Sequence, residues 1–193
     1  MSTHAKLEKK SSNRVSNGTL TKYSFPSSSL NLSTQFNIFI PLSATPTHPI
    51  PILFFLAGLT CNEDTGPQKC GFFNTAGEEG IAIVFPDTSP RGANIPGEDD
   101  EYDFGTGAGF YLNATKGRWE RNYRMYDLVV KEIPAVLKQA DLGLVRPQPS
   151  QYTHLIPTFF TSSTSMLHLS CRPLIMGCGA DKVFFSRIGR GFH

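Results

Sequence analysis

The 193 residues contain no CxxC pair, and none of the four cysteines, Cys61, Cys70, Cys171 and Cys178, has a His at zinc-finger spacing. Neither a metal site nor a disulfide framework is expected, and the thiols are read as reduced. The first twenty residues, MSTHAKLEKKSSNRVSNGTL, have no apolar core, which argues against a secretory signal. Charge is missing from residues 23 to 62 and 147 to 171, yet Pro, Ser, Thr and Asn interrupt both stretches. Neither offers the roughly 20 apolar residues that a membrane-spanning helix needs. No long basic tract is present, so no nucleic-acid partner is expected. Hydrophobic residues at 39%, charged residues at 18% and a net charge of +2 fit one soluble intracellular domain without a membrane partner.

The small net charge hides a division. Residues 1 to 22 carry five basic and one acidic side chain, residues 23 to 145 eight and fourteen, and residues 146 to 193 five and one. This predicts a polar arm over 1–22, an α/β domain over 23–145 and a divergent, poorly ordered tail over 146–193. The arm leads into a first strand around Leu20 to Phe25. In residues 33 to 41, STQFNIFIP, alternation puts Phe36, Ile38 and Ile40 on one face, the pattern of a half-buried strand near a sheet edge. The runs PILFFLA (51–57) and GIAIVFP (80–86) are continuously apolar, as in strands buried on both faces. With a crossover helix over Gly71 to Glu79 they make a βαβ unit. Tyr126, Val129, Val130, Ile133, Val136, Leu137 and Ala140 form the stripe of a helix lying on that sheet, with a kink expected at Pro134. Residues 146 to 193 hold ten Ser and Thr and no Glu, and no helix or strand pattern stands out there.

The segment FLAGLTCNEDT, residues 55 to 65, leaves a buried strand through Gly58 at the end where α/β folds place ligands. The N–H groups of Gly58, Leu59 and Thr60 are candidates for holding an oxyanion. The alternative is a plain strand-to-helix turn capped by Asn62 or Thr60. Cys61 sits in this turn as a packed thiol lining a pocket or as a reactive one. Between the second apolar strand and the helix lies a long Gly-rich loop, the best functional ground in the chain. Its Gly105-Thr-Gly-Ala-Gly109 run is not preceded by a strand, and the acidic stretch before it would repel phosphate, so a nucleotide loop is not expected. The run Glu98 to Asp103 is a candidate cation site or a solvated loop. Asp87 is a candidate general base or a turn cap. The five histidines, at 4, 48, 154, 168 and 193, have no evident partner.

The strings FFLAGLTCNEDT and VFPDTSPRGANIPGEDDEYDFGTGAGFYLNATKGRWERNYRMYDLVVKEIP closely resemble the S-formylglutathione hydrolase (esterase D) family, from about Arg14 to about Val145. The resemblance implies an α/β-hydrolase fold, of which only the N-terminal part is present, followed by an unrelated irregular tail. It also implies a cytoplasmic serine hydrolase that takes a glutathione thioester, needs no cofactor and has a homo-oligomer as one expected state. By the same resemblance the backbone of Gly58 and Leu59 belongs to the oxyanion hole, and Thr60 and Cys61 line the pocket. The family's nucleophile stands in a Gly-x-Ser-x-Gly elbow. Here the only Gly pair four apart, Gly105 and Gly109, has Gly107 at its centre, and no member of the Ser-His-Asp triad is assignable. The expectation is a chain that alone hydrolyses nothing detectable. The switch in composition near Arg146 suggests a truncated or mis-spliced product or an error in the gene model. The alternative is a non-catalytic fragment that at most associates with intact subunits.

Overall fold

The computed structural model describes residues 6–45, 47 and 50–140, together with the backbone of 174–178 and 183–186. The strands are β1 (Glu8–Val15), β2 (Gly18–Ser27), β3 (Leu32–Pro41), β4 (Ile52–Leu56), β5 (Ala82–Pro86), β6 (Leu174–Cys178) and β7 (Val183–Ser186). They form one mixed sheet in the order β1-β2-β3-β5-β4-β6-β7. Its middle is the βαβ unit expected from the two apolar runs. β4 and β5 pair in parallel, with Ile52 opposite Ala82 and Phe54 opposite Val84. Two short helices, α1 (Thr65–Lys69) and α2 (Phe73–Glu78), make the crossover. All five residues of β5 are buried, because helices cover both faces of the sheet.

Those faces carry separate cores. Phe36, Ile38, Phe54 and Val84 pack under the long helical segment after the loop, and Phe39, Phe55, Ile83 and Phe85 pack against Phe72, Phe73 and Ala76 of the crossover. The edge position expected of residues 33 to 41 is corrected by this arrangement. β3 lies between β2 and β5, and Phe39 and Asn37, on the face read as solvent-facing, are 0% and 4% exposed. The chain before β2 also supplies a strand that alternation does not reveal. β1 has no buried residue and is held by its ladder to β2, not by an apolar face. At the other end, β6 adds in parallel to β4 and β7 closes antiparallel on β6, in a tail whose sequence shows neither strand. The remainder of that tail lies outside the described residues.

The expected helix runs as α3 (Met125–Asp127), a π turn over Leu128–Glu132 and α4 (Ile133–Gln139). Pro134 has no N–H to give the carbonyl four residues back, and the irregularity appears as this wider turn, in which Ile133 N–H reaches Leu128 C=O. Met125 and Leu128 are buried in place of Tyr126 and Val130, while Val129, Ile133, Val136 and Leu137 face the core as expected.

Glu132 fastens this helix to the β2–β3 turn. Its carboxylate accepts hydrogen bonds from Ser27 Oγ (2.6 Å), Ser28 N (2.6 Å), Ser28 Oγ (2.8 Å) and Ser29 N (3.1 Å). Burial pushes this carboxyl up, but the hydrogen bonds from Ser27, Ser29 and Ser28 outweigh it and hold the group below the ordinary glutamate value of 4.5. A carboxylate depressed in the folded state adds stability that is complete above the unfolded value and is lost as the pH falls through the folded one. Glu132→Gln is therefore expected to lower stability at neutral pH and to remove part of the acid sensitivity. Urea unfolding between about pH 3 and pH 7 checks both effects.

Candidate active site

The turn that leaves β4 is built by its neighbours as much as by its own residues. Cys61 N–H closes back on Gly58 C=O at 3.2 Å, and Thr60 takes the left-handed conformation with φ of 65°. Tyr111 Oη donates to Ala57 C=O at 2.8 Å, and Thr60 N–H donates to Gly107 C=O, also at 2.8 Å. Gly107 N–H in turn donates to Ser89 Oγ at 2.7 Å. The glycine run is thus a strap laid across the turn, and its central amide is spent within the protein. Gly105, Gly107 and Gly109 have φ of 73°, 78° and 75°. A Cβ at Gly105 would lie 1.7 Å from Glu98 O, and one at Gly109 would lie 3.0 Å from Gly58 C. Only glycine permits so close an approach in that conformation.

The far side of the turn is held by charge. Cys61 C=O accepts hydrogen bonds from Thr88 Oγ1 and from Arg91 Nη2, the latter at 2.9 Å. Arg91 Nε lies 3.0 and 2.8 Å from the two oxygens of Asp87, which also accepts Thr88 N–H at 2.7 Å. Asp87 is therefore the turn cap of the two roles considered, with its carboxylate committed to a guanidinium. Burial raises its pKa above the ordinary aspartate value, against the pull of Arg91 and the Thr88 N–H. Burial likewise pushes the Tyr111 phenol well up, with Asp87 and Cys61 adding to the effect, so it acts as a neutral hydrogen-bond donor.

Of the candidate oxyanion donors, Thr60 N–H is occupied by Gly107, whereas Leu59 N–H makes no hydrogen bond among the described residues. Leu59 is 37% exposed. The capping alternative holds beside this: Asn62 Oδ1 accepts Asp64 N–H at 3.1 Å and Thr65 Oγ1 at 3.0 Å, ordering the entry to α1. Cys61 and Cys70 form no disulfide among the described residues, and both are partly buried against the Phe39–Phe55–Phe85 core. The acidic run does not gather as one site. Glu98 is buried and accepts hydrogen bonds from Ile95 N and Tyr123 Oη, while Asp99, Asp100, Glu101 and Asp103 are exposed. No group of three or more metal-ligating side chains is found among the described residues. All five histidines lie outside them. The sequence reading missed Tyr111, Ser89 and Arg91; only Arg91 left a signal, its spacing of four from Asp87.

Asp87 is 5% exposed, so removing its cation leaves a buried carboxylate poorly paired. Arg91→Leu is expected to cost about 1–3 kcal/mol in a urea titration, the penalty of an unsatisfied buried polar group.

A family model described as "Putative esterase" matches residues 27–141. The chain is 48% identical over 128 residues to an S-formylglutathione hydrolase of Arabidopsis thaliana, covering 66% of this chain and 45% of that protein. To the S-formylglutathione hydrolase of Mus musculus it is 44% identical over 131 residues, or 68% of this chain and 46% of the relative. The chain thus spans about half the length of these relatives. Among solved structures, an S-formylglutathione hydrolase from Agrobacterium tumefaciens superposes with a TM-score of 0.64 at 37% identity, covering 68% of this chain and 47% of that one. With the mixed sheet, the helices on both faces and the strapped turn after β4, these matches establish an α/β-hydrolase fold, and the chain belongs to the esterase family, in which it is similar to the S-formylglutathione hydrolases.

Proposed function

We propose that this chain carries the oxyanion-turn half of a cytoplasmic serine esterase that hydrolyses S-formylglutathione to glutathione and formate. The observation that carries the reading is Leu59 N–H, which makes no hydrogen bond among the described residues and sits at the carboxyl end of a central parallel strand, on a turn held through Ala57 C=O, Thr60 N–H and Cys61 C=O. In thioester hydrolysis a serine oxygen adds to the carbonyl carbon and the carbonyl oxygen takes up negative charge. The carbon–sulfur bond then breaks, glutathione leaves with a proton, and water releases formate from the formyl-serine. Leu59 N–H, with Gly58 at the entry to the turn, is suited to donate to the oxygen that becomes charged. Thr60 and Cys61 contribute the adjoining wall. Cys61 is partly buried and packed, which favours a lining role over a nucleophilic one.

The 193 residues contain no Gly-x-Ser-x-Gly elbow to supply the nucleophile. That observation favours a second reading, a non-catalytic fragment that at most associates with intact subunits. Under both readings the pure chain shows no detectable hydrolysis of S-formylglutathione. A chimaera separates them: residues 1–145 joined to the C-terminal part of the Arabidopsis thaliana relative. Turnover by this chimaera is expected, and its absence would count against the esterase reading. Within it, Leu59→Pro removes one N–H and is expected to lower kcat about 10²–10³-fold, the usual effect of losing a single oxyanion donor.

A further inference from the structure

Lys22 is far in sequence from the turn after β4, yet its ammonium is committed to the residues that follow that turn. On the β2–β3 ladder it stands directly opposite Asn37. Lys22 Nζ lies 2.7 Å from Glu63 Oε1 and 2.6 Å from Asp64 Oδ2. Asn37 Nδ2 donates to Glu63 C=O and to Asp64 Oδ1, both at 2.9 Å. One cross-strand pair therefore grips both carboxylates and a backbone carbonyl of the same dipeptide. Glu63 is only 5% exposed, and a carboxylate so buried is retained only beside a cation. Its field also reaches Asp87 and Arg91, the pair that holds Cys61 C=O. Burial opposes the charge on Lys22, but its bonds to Asp64 and Glu63 prevail and its pKa ends above the ordinary value, so it remains the cation at neutral pH.

The turn is thus anchored twice. Arg91 and Thr88 restrain it at the Cys61 oxygen and the glycine strap takes Thr60 N–H, both from the side of the loop between β5 and α3. The anchor at residues 63 and 64 fixes the chain where it leaves the turn, from the side of β2 and β3. We propose that Lys22 is a positioning residue, acting through Glu63 and Asp64 to hold the peptide from Leu59 to Asn62 in the conformation that leaves Leu59 N–H free. The inference rests on the reading of this turn as an oxyanion donor.

The test uses the full 193-residue chain. Thr60 N–H is bonded to Gly107 C=O, so its hydrogen exchange reports opening of the turn, and the Ile38 amide in β3 serves as the control. Alkylation of Cys61 by iodoacetamide, read by peptide mass spectrometry, is the second measure. Lys22→Met is expected to speed both Thr60 exchange and Cys61 alkylation by more than about tenfold, with Ile38 unchanged and with Lys22→Arg restoring both rates. Unchanged rates in Lys22→Met overturn the proposal. Equal acceleration at Ile38 also overturns it, since Lys22 would then support the whole sheet. If Lys22→Met does not fold, the double variant Lys22→Met/Glu63→Gln removes both charges and is read in the same way. Failure of the oxyanion reading shows elsewhere, as an unchanged kcat in the Leu59→Pro chimaera.

Discussion

A turn at the end of a buried strand must pair its backbone polar groups away from water, and this requirement organises the chain around β4. Ala57 C=O, Thr60 N–H and Cys61 C=O each find a partner in the loop between β5 and α3. The loop is long because it must deliver Ser89, Arg91, Gly107 and Tyr111 to one short stretch of backbone. Its glycines follow from the same need. A strap that passes within contact distance of Gly58 and Leu59 has no room for side chains. Among the described residues Leu59 N–H has no such partner.

Electrostatics adds a second layer. Asp87, Arg91, Glu63, Lys22 and Asp64 come from three separate stretches of sequence and meet around residues 61–64. Buried ion pairs of this kind contribute little net stability, because desolvation cancels most of the attraction. Their directionality is more useful here: a guanidinium that joins Asp87 to the Cys61 oxygen and a cross-strand Lys–Asn pair each restrict where the turn can lie. The scaffold beneath is ordinary by comparison, with two apolar layers on the faces of a mixed sheet and a carboxylate that ties the last helix to the β2–β3 turn.

Much of this was legible in the residues. β4, β5 and their crossover read directly, because a strand buried on both faces needs an unbroken apolar run. The helix after the loop read in extent and along most of its buried face, with Met125 and Leu128 buried where Tyr126 and Val130 were expected, ahead of and within the π turn. β3 read as an edge because Gln35 and Asn37 are polar; Asn37 is buried and polar for the sake of Glu63 and Asp64. β1 escaped because a strand recruited by a ladder need not carry an amphipathic pattern, whereas β6 (LIMGC) and β7 (VFFS) are apolar runs of only five and four residues, too short to stand out. Within the site, Gly58, Leu59 and Cys61 stood out by position. The N–H of Thr60, a candidate donor by position, is occupied by the glycine strap.

The sequence by itself determined the family, the central βαβ unit and the place of the turn, because each rests on contiguous residues: apolar runs, a glycine after a strand, long unbroken motifs. It also established that no nucleophile elbow lies within these 193 residues. The tertiary structure alone decided that the Thr60 amide of the turn is taken, that the Gly-rich run is a strap and not a ligand loop, and that Lys22 belongs to the turn. Those facts depend on hydrogen bonds and ion pairs between residues 18 to 54 positions apart, and side-chain periodicity carries no record of such pairings.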